Sequence, residues 1–201
     1  MDQKYDFSDI SVLILEDNLF MRQLVRKMMH GFGVRDLLEG ADGSEGLEMM
    51  SREHIDIVLC DWLMDPLDGC DFVRTVRTAA DSPNPHIPII MITGHTEPWR
   101  VKFARDAGVT EVLAKPISTQ TLMHRMVHCI ENPRRSIESL TFTGPDRRRR
   151  RTDDYKGSER RKSEASQADA MAAAGGSANE EAEESTLSND DVEALFAQMN
   201  N

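Results

Sequence analysis

Five side chains in this sequence have the types and spacing needed to handle a phosphoryl group. Glu16 and Asp17 follow the apolar run 12–15, Asp61 closes the run 55–61, Thr93 closes 89–93, and Lys115 follows 111–114 and is stopped by Pro116. Each run reads as a strand, so all five residues stand at strand carboxyl ends, where ligands collect in an open parallel sheet. Carboxylates brought together there repel one another, and a hard divalent cation with oxygen ligands relieves the repulsion. Mg2+ suits the set because it retains several waters and can bridge Asp17, Asp61 and an incoming phosphate. Asp61 can then act as a nucleophile and form an acyl phosphate. Lys115 supplies a fixed positive charge for the phosphoryl oxygens, and Thr93 a hydroxyl donor.

The elements that must position these residues alternate along the chain. Strands are predicted over 12–15, 34–39, 55–61, 89–93 and 111–114, with helices between and after them over 21–32, 44–52, 70–80, 99–107 and 118–130. In the first helix Met21, Leu24, Val25, Met28, Met29 and Phe32 share one face, a core stripe that Gly31 and Gly33 terminate. Five βα units in succession predict an α/β fold, a doubly wound parallel five-stranded sheet covered on both faces, over residues 9–133. The predicted strands are mostly continuous apolar runs, as double coverage requires.

A chain of 201 residues holds one domain of ordinary size and a tail. Its net charge of −11 argues against general nucleic-acid binding. No charged start precedes a long apolar stretch, and no apolar run is long enough to cross a bilayer, so a cytoplasmic location is expected. Cys60, Cys70 and Cys129 show no paired spacing and read as buried, reduced thiols. Residues 134–186 hold few large apolar side chains, and this composition predicts a disordered linker with an arginine-rich segment over 145–162. Order is expected to return over 187–201. Ser188 and Asp191 have capping-box spacing, and Val192, Leu195, Phe196 and Met199 form an i, i+3, i+4, i+7 stripe. A helix this short needs a partner for that stripe.

Taken together, Leu-Ile-Leu-Glu-Asp-Asn at 13–18, Leu-Cys-Asp-Trp-Leu-Met-Asp-Pro-Leu-Asp-Gly at 59–69, Ile-Met-Ile-Thr-Gly at 90–94 and Ala-Lys-Pro-Ile at 114–117 resemble the receiver domain of response regulators. The resemblance spans residues 9–131 in order and spacing. It implies a flavodoxin-like (βα)5 domain, phosphorylated on Asp61 by a sensor histidine kinase, and a signalling module rather than an enzyme. Asp17 and Asp61 would ligate the metal directly, with the backbone carbonyl of Leu63, and Glu16 would act through water. The chain departs from the family pattern twice. Asp65 intervenes before Pro66 in the loop after Asp61, and Val112 stands where an aromatic switch residue is expected.

The tail carries two further likenesses. Arg147, Arg148, Arg149, Arg150 and Arg151, followed by Gly-Ser-Glu-Arg-Arg-Lys at 157–162, are similar to arginine-rich tails of CheY-like proteins that bind cyclic di-GMP. A solvated basic linker is the plain alternative. Residues 187–199 resemble the amphipathic peptide of the flagellar switch protein FliM and the phosphatase CheZ, which points to chemotaxis or flagellar motility. Such a peptide would act as a clasp on its own receiver or as bait for another. The function classes in play are thus a phosphorelay regulator, a cyclic-di-GMP effector, and a phosphatase or phosphate sink. No DNA-binding domain of normal size is expected after the receiver region. His124 and His128 have metal-ligand spacing but no third partner and read as a solvated helix face, while Trp99 reads as a half-buried packing residue.

Overall fold

The computed structural model describes residues 5–131, 136–139, 142–145 and 189. Five strands alternate with five helices in the order β1 (Ser11–Leu15), α1 (Leu19–Gly31), β2 (Asp36–Gly40), α2 (Gly43–Arg52), β3 (Ile57–Asp61), α3 (Gly69–Thr78), β4 (Ile89–Thr93), α4 (Pro98–Ala107), β5 (Glu111–Ala114) and α5 (Thr119–Glu131). The strands form one parallel sheet in the order β2-β1-β3-β4-β5. This is the doubly wound (βα)5 architecture the alternation predicts. The chain runs outward in one direction from β1 to β2 and in the other from β3 to β5, so a crevice opens at the carboxyl ends of β1 and β3.

Strand periodicity builds two cores. Leu13, Leu15, Val58, Cys60, Ile89 and Met91 face one side of the sheet, where Phe72, Val76, Val101 and Ala104 from α3 and α4 cover them. Val12, Ile14, Ile57, Leu59, Ile90 and Ile92 face the other, under Val25 and Met29 of α1 and Leu122 and Met126 of α5. Most side chains of β1, β3, β4 and β5 are therefore buried on both faces, which explains their unbroken apolar character.

Helix starts follow local chemistry. Asn18 caps α1 by accepting from the N–H groups of Phe20 and Met21, Asp42 caps α2, and Asp68 caps α3 through the Asp71 N–H. α4 has no side-chain cap and begins on Pro98, whose missing N–H costs nothing there.

The structure differs from the sequence reading at several points. Leu24, expected in the core stripe, is exposed. Val25 and Met29 carry the contact instead, because the helix turns about 100° per residue and Leu24 falls at the margin of the face. β2 starts at Asp36 rather than at Val34, because the Val34 N–H is spent on the Met29 carbonyl in finishing α1. Within the stretch expected to be wholly disordered, β6 (Ser136–Ser139) and β7 (Phe142–Pro145) pair antiparallel, and β7 lies alongside α3. Gly144 and Pro145 are buried there. Trp99, expected to be half-buried, is 59% exposed.

Candidate functional site

The crevice at the ends of β1, β3 and β5 gathers the charged residues. Glu16, Asp17 and Asp61 each bring a carboxylate oxygen within 4.8 Å of the others. Lys115, directly after β5, reaches across them. Its Nζ lies 2.9 Å from Glu16 Oε2 and 3.0 Å from Asp61 Oδ2. Asp61 is only 8% exposed, and its Oδ1 accepts the Trp62 N–H at 2.7 Å, which fixes the carboxylate plane. Glu16 is buried as well, and its Oε1 accepts the Asn18 N–H.

The electrostatics follow from this crowding. Burial raises the Glu16 pKa, the Lys115 hydrogen bond partly opposes this, and the Asp61 charge adds to the rise. For Lys115 burial works against the charged form, but hydrogen bonds to Glu16 and Asp61 and their negative charges outweigh it, so its pKa lies above the ordinary value. One cation thus serves two carboxylates while a third, Asp17, stands beside them at the exposed mouth. Such an all-oxygen set fits a hard divalent ion such as Mg2+. The neighbouring thiols are not competing ligands. Burial drives Cys60 well up and Cys70 to about 12.

Thr93 ends β4, the strand beside Asp61, in register with Ala114. It is fully buried, and its Oγ1 accepts the His95 N–H at 2.9 Å, so the hydroxyl proton remains the group's donor. The Lys115 N–H donates to the Thr93 carbonyl at 2.8 Å, which ties the two residues together through the backbone. Leu63 lies in the loop two residues beyond Asp61, with its side chain exposed. That loop closes despite the extra Asp65, because the Gly69 N–H donates to the Trp62 carbonyl at 2.8 Å.

Gly69 is a site residue that charge patterns do not reveal. A Cβ there would lie 2.1 Å from the Asp61 carbonyl oxygen. Gly69→Ala must therefore displace the backbone that carries Asp61, at a cost of about 1–3 kcal/mol. Thermal denaturation should show that loss, whereas Gly31→Ala, whose Cβ would meet nothing within 4 Å, should not be destabilised.

Other candidates fall away from the crevice. His124 is exposed on α5, and His128 Nδ1 lies 3.3 Å from Glu111 Oε1. Among the described residues Glu16, Asp17 and Asp61 form the one group suited to a metal. Trp62, next to Asp61, is buried and stacks on Phe103 at 6.1 Å, while the Arg100 guanidinium lies 4.7 Å over the Trp99 ring. Val112 is buried against the α2–α4 side of the sheet, with no ring at that position. Arg147, Arg148, Arg149, Arg150 and Arg151 lie outside the described residues, as does the stripe from Val192 to Met199. No helix among the described residues is long and apolar enough to cross a membrane.

Comparison with known proteins agrees with this geometry. The family described as the response regulator receiver domain matches residues 12–127. The chemotaxis protein CheY-3 of Vibrio cholerae is 30% identical over 118 residues, which cover 59% of this chain and 89% of that protein. The structure of V. cholerae CheY4 superposes with a TM-score of 0.54 at 29% identity, covering 58% of this chain and 95% of that one. The receiver domain of a Pseudomonas aeruginosa sensor histidine kinase, solved with a magnesium ion coordinated in its active-site cleft, has a TM-score of 0.56 at 26% identity. That match covers 61% of this chain and 98% of the other.

Proposed function

The chain belongs to the response regulator receiver family, and from that premise we propose that it is a phosphorelay regulator whose Asp61 accepts a phosphoryl group from a histidine kinase in the presence of Mg2+. The observation that carries this reading is the convergence of Glu16, Asp17, Asp61 and Lys115 at the sheet's crevice. An Asp61 carboxylate oxygen attacks phosphorus, the bond from phosphorus to the phosphohistidine nitrogen breaks, and that nitrogen keeps the electron pair. Lys115 holds Asp61 in place and meets charge that develops on the phosphoryl oxygens. Thr93 offers its hydroxyl proton to one of those oxygens. Asp17 and Asp61 would hold the metal, with the Leu63 carbonyl as a third protein ligand and Glu16 through water. When bound, the metal supplies charge neutralisation between carboxylates and phosphate.

The output is a change in affinity for a protein partner, so the chain works as a signalling module rather than as an enzyme. Exposed Leu19, Phe20 and Leu63, on the segments that adjoin Asp17 and Asp61, offer apolar surface to a phosphodonor protein. Chemotaxis or flagellar control is the process favoured, because the relative named above is a chemotaxis protein. With Val112 in place of an aromatic ring, the signal passes through the Thr93–Lys115 backbone link rather than through a swinging side chain.

Metal binding tests the site directly. Trp62 adjoins Asp61, so its fluorescence reports on the crevice. In a Mg2+ titration Asp17→Asn should weaken binding at least about tenfold, because a hard anionic ligand is lost. The double change His124→Ala, His128→Ala should leave the curve unmoved, and the reverse pattern would put the metal elsewhere.

A further inference from the structure

Arg22 carries a positive charge at the wrong end of its helix. It is the fourth residue of α1, and helical side chains lean back toward the N-terminus, where the dipole favours anions. α1 has no acidic residue in its first turn to offset the charge. The side chain is nonetheless drawn inward, with only 19% of it exposed. A residue that runs against a local rule needs compensating contacts, and two are present. Nη1 donates to the backbone carbonyl of Glu16, and Nε lies 3.7 Å from Glu39 Oε2 on β2. Arg26, one turn further along α1, pairs with the other Glu39 oxygen at 3.3 Å, and among the described residues it bonds to Glu39 alone. The Glu16 carbonyl belongs to the peptide that leads into Asp17. Glu16 is held at three more points. Its N–H donates to the Gly40 carbonyl at 3.2 Å, its Oε1 accepts the Asn18 N–H, and its Oε2 meets Lys115. Asp17 itself is exposed, so the backbone that carries it, rather than burial of its side chain, sets its place at the crevice.

We propose that Arg22 is a positioning residue for the metal site: its guanidinium, braced by Glu39, clamps the Glu16–Asp17 peptide and so aims the Asp17 carboxylate at the ion. The inference rests on the reading that Asp17 ligates Mg2+. Arginine suits the task because its planar fork gives one nitrogen to the carbonyl while another faces Glu39, whereas lysine offers a single point charge. Two opposing effects meet at this residue. Its positive charge repels a divalent cation, so on charge alone its removal would tighten Mg2+ binding. Its grip on the peptide does the reverse, because groups that orient a metal ligand are worth about 10–100-fold in affinity. The two effects differ in sign, and a titration reads the sign.

Mg2+ titration of the full chain, followed by Trp62 fluorescence, tests this. Arg22→Met should raise the half-saturating Mg2+ concentration about tenfold. Arg26→Met removes the same charge without touching Glu16, and should leave that concentration unchanged or lower it. Glu39→Gln should weaken binding in the wild-type chain and add little in the Arg22→Met background, because it acts through Arg22. With a small phosphodonor, Arg22→Met should need more Mg2+ yet approach the wild-type labelling rate at saturation, since no reacting group is lost. Unchanged or tighter Mg2+ binding in Arg22→Met overturns the inference. So does additivity of the Arg22 and Glu39 changes, or a saturated rate that falls while the Mg2+ requirement stays the same. A melting curve without Mg2+ shows whether Arg22→Met is folded. If it is not, Glu39→Gln alone carries the test, and unchanged binding there overturns the clamp. Wild-type Mg2+ binding in Asp17→Asn would remove Asp17 as a ligand and the role of Arg22 with it. Weakened binding in Asp17→Asn but not in Arg22→Met would overturn the role of Arg22 alone.

Discussion

Asp61→Asn should gain no phosphoryl group under conditions where the wild-type chain, with Mg2+ and a small phosphodonor, gains one. The amide of Asn is nearly isosteric with the carboxylate, so it can still accept the Trp62 N–H. It lacks the anionic oxygen that attacks phosphorus. The fold should survive, because one of the two charges that Lys115 serves, Glu16, remains. Intact-mass analysis of the two proteins side by side checks this, together with a thermal denaturation curve that excludes unfolding. Labelling of the Asn variant to the wild-type level would remove Asp61 from the role assigned to it.

Lys115→Met should show the second largest effect. The ammonium lies about equally close to Glu16 Oε2 and Asp61 Oδ2. Removing it withdraws the only cation that the crevice holds among the described side chains contacting those two carboxylates. Loss of one preorganised donor to developing charge slows a transfer step by about 10²–10³-fold. Stability should also fall, by less than the roughly 3–5 kcal/mol of a fully buried broken pair, because the crevice is open to water at Asp17. Mg2+ then becomes a partial substitute and should raise the melting temperature of the variant more than that of the wild type. Lys115→Arg should not restore the rate, because a planar fork cannot place one point charge between two carboxylates. An unimpaired transfer rate in Lys115→Met would show that the ammonium holds the site's structure and has no part in its chemistry.

Much of the fold was legible because β1, β3, β4 and β5 bury both faces and therefore write continuous apolar runs. The bounds of β4 and β5 match the sequence reading, and most helix bounds differ by a residue at the capping positions. What the sequence hid was mostly chemistry specified by tertiary contacts. Arg77 reads as an ordinary helix-surface residue, yet it is buried and donates to the carbonyls of Gly108, Pro85 and Ile87. Burial draws its pKa down to about 10. Glu111 likewise looks like a strand-end charge but is buried against Arg125 and His128. The crevice itself was legible, since strand-end position alone brings Glu16, Asp17, Asp61, Thr93 and Lys115 to one edge. Gly69 was not recognised as a site residue, because its requirement comes from the Asp61 carbonyl in space. The contact of Asn189 with the N–H and carbonyl of Ala114 was equally hidden, because a single amide reaching a strand 75 positions away leaves no periodic trace.

The central claim is that this crevice makes an acyl phosphate on Asp61. Its most direct test is to phosphorylate the full chain with a small phosphodonor and Mg2+, reduce the product with borohydride, and map the modified residue by peptide mass. Modification should fall on the peptide containing Asp61, disappear when Mg2+ is chelated, and be lost if hydroxylamine is added before reduction. A phosphoryl group that resists hydroxylamine, or that maps to a serine, threonine or histidine elsewhere in the chain, would contradict it.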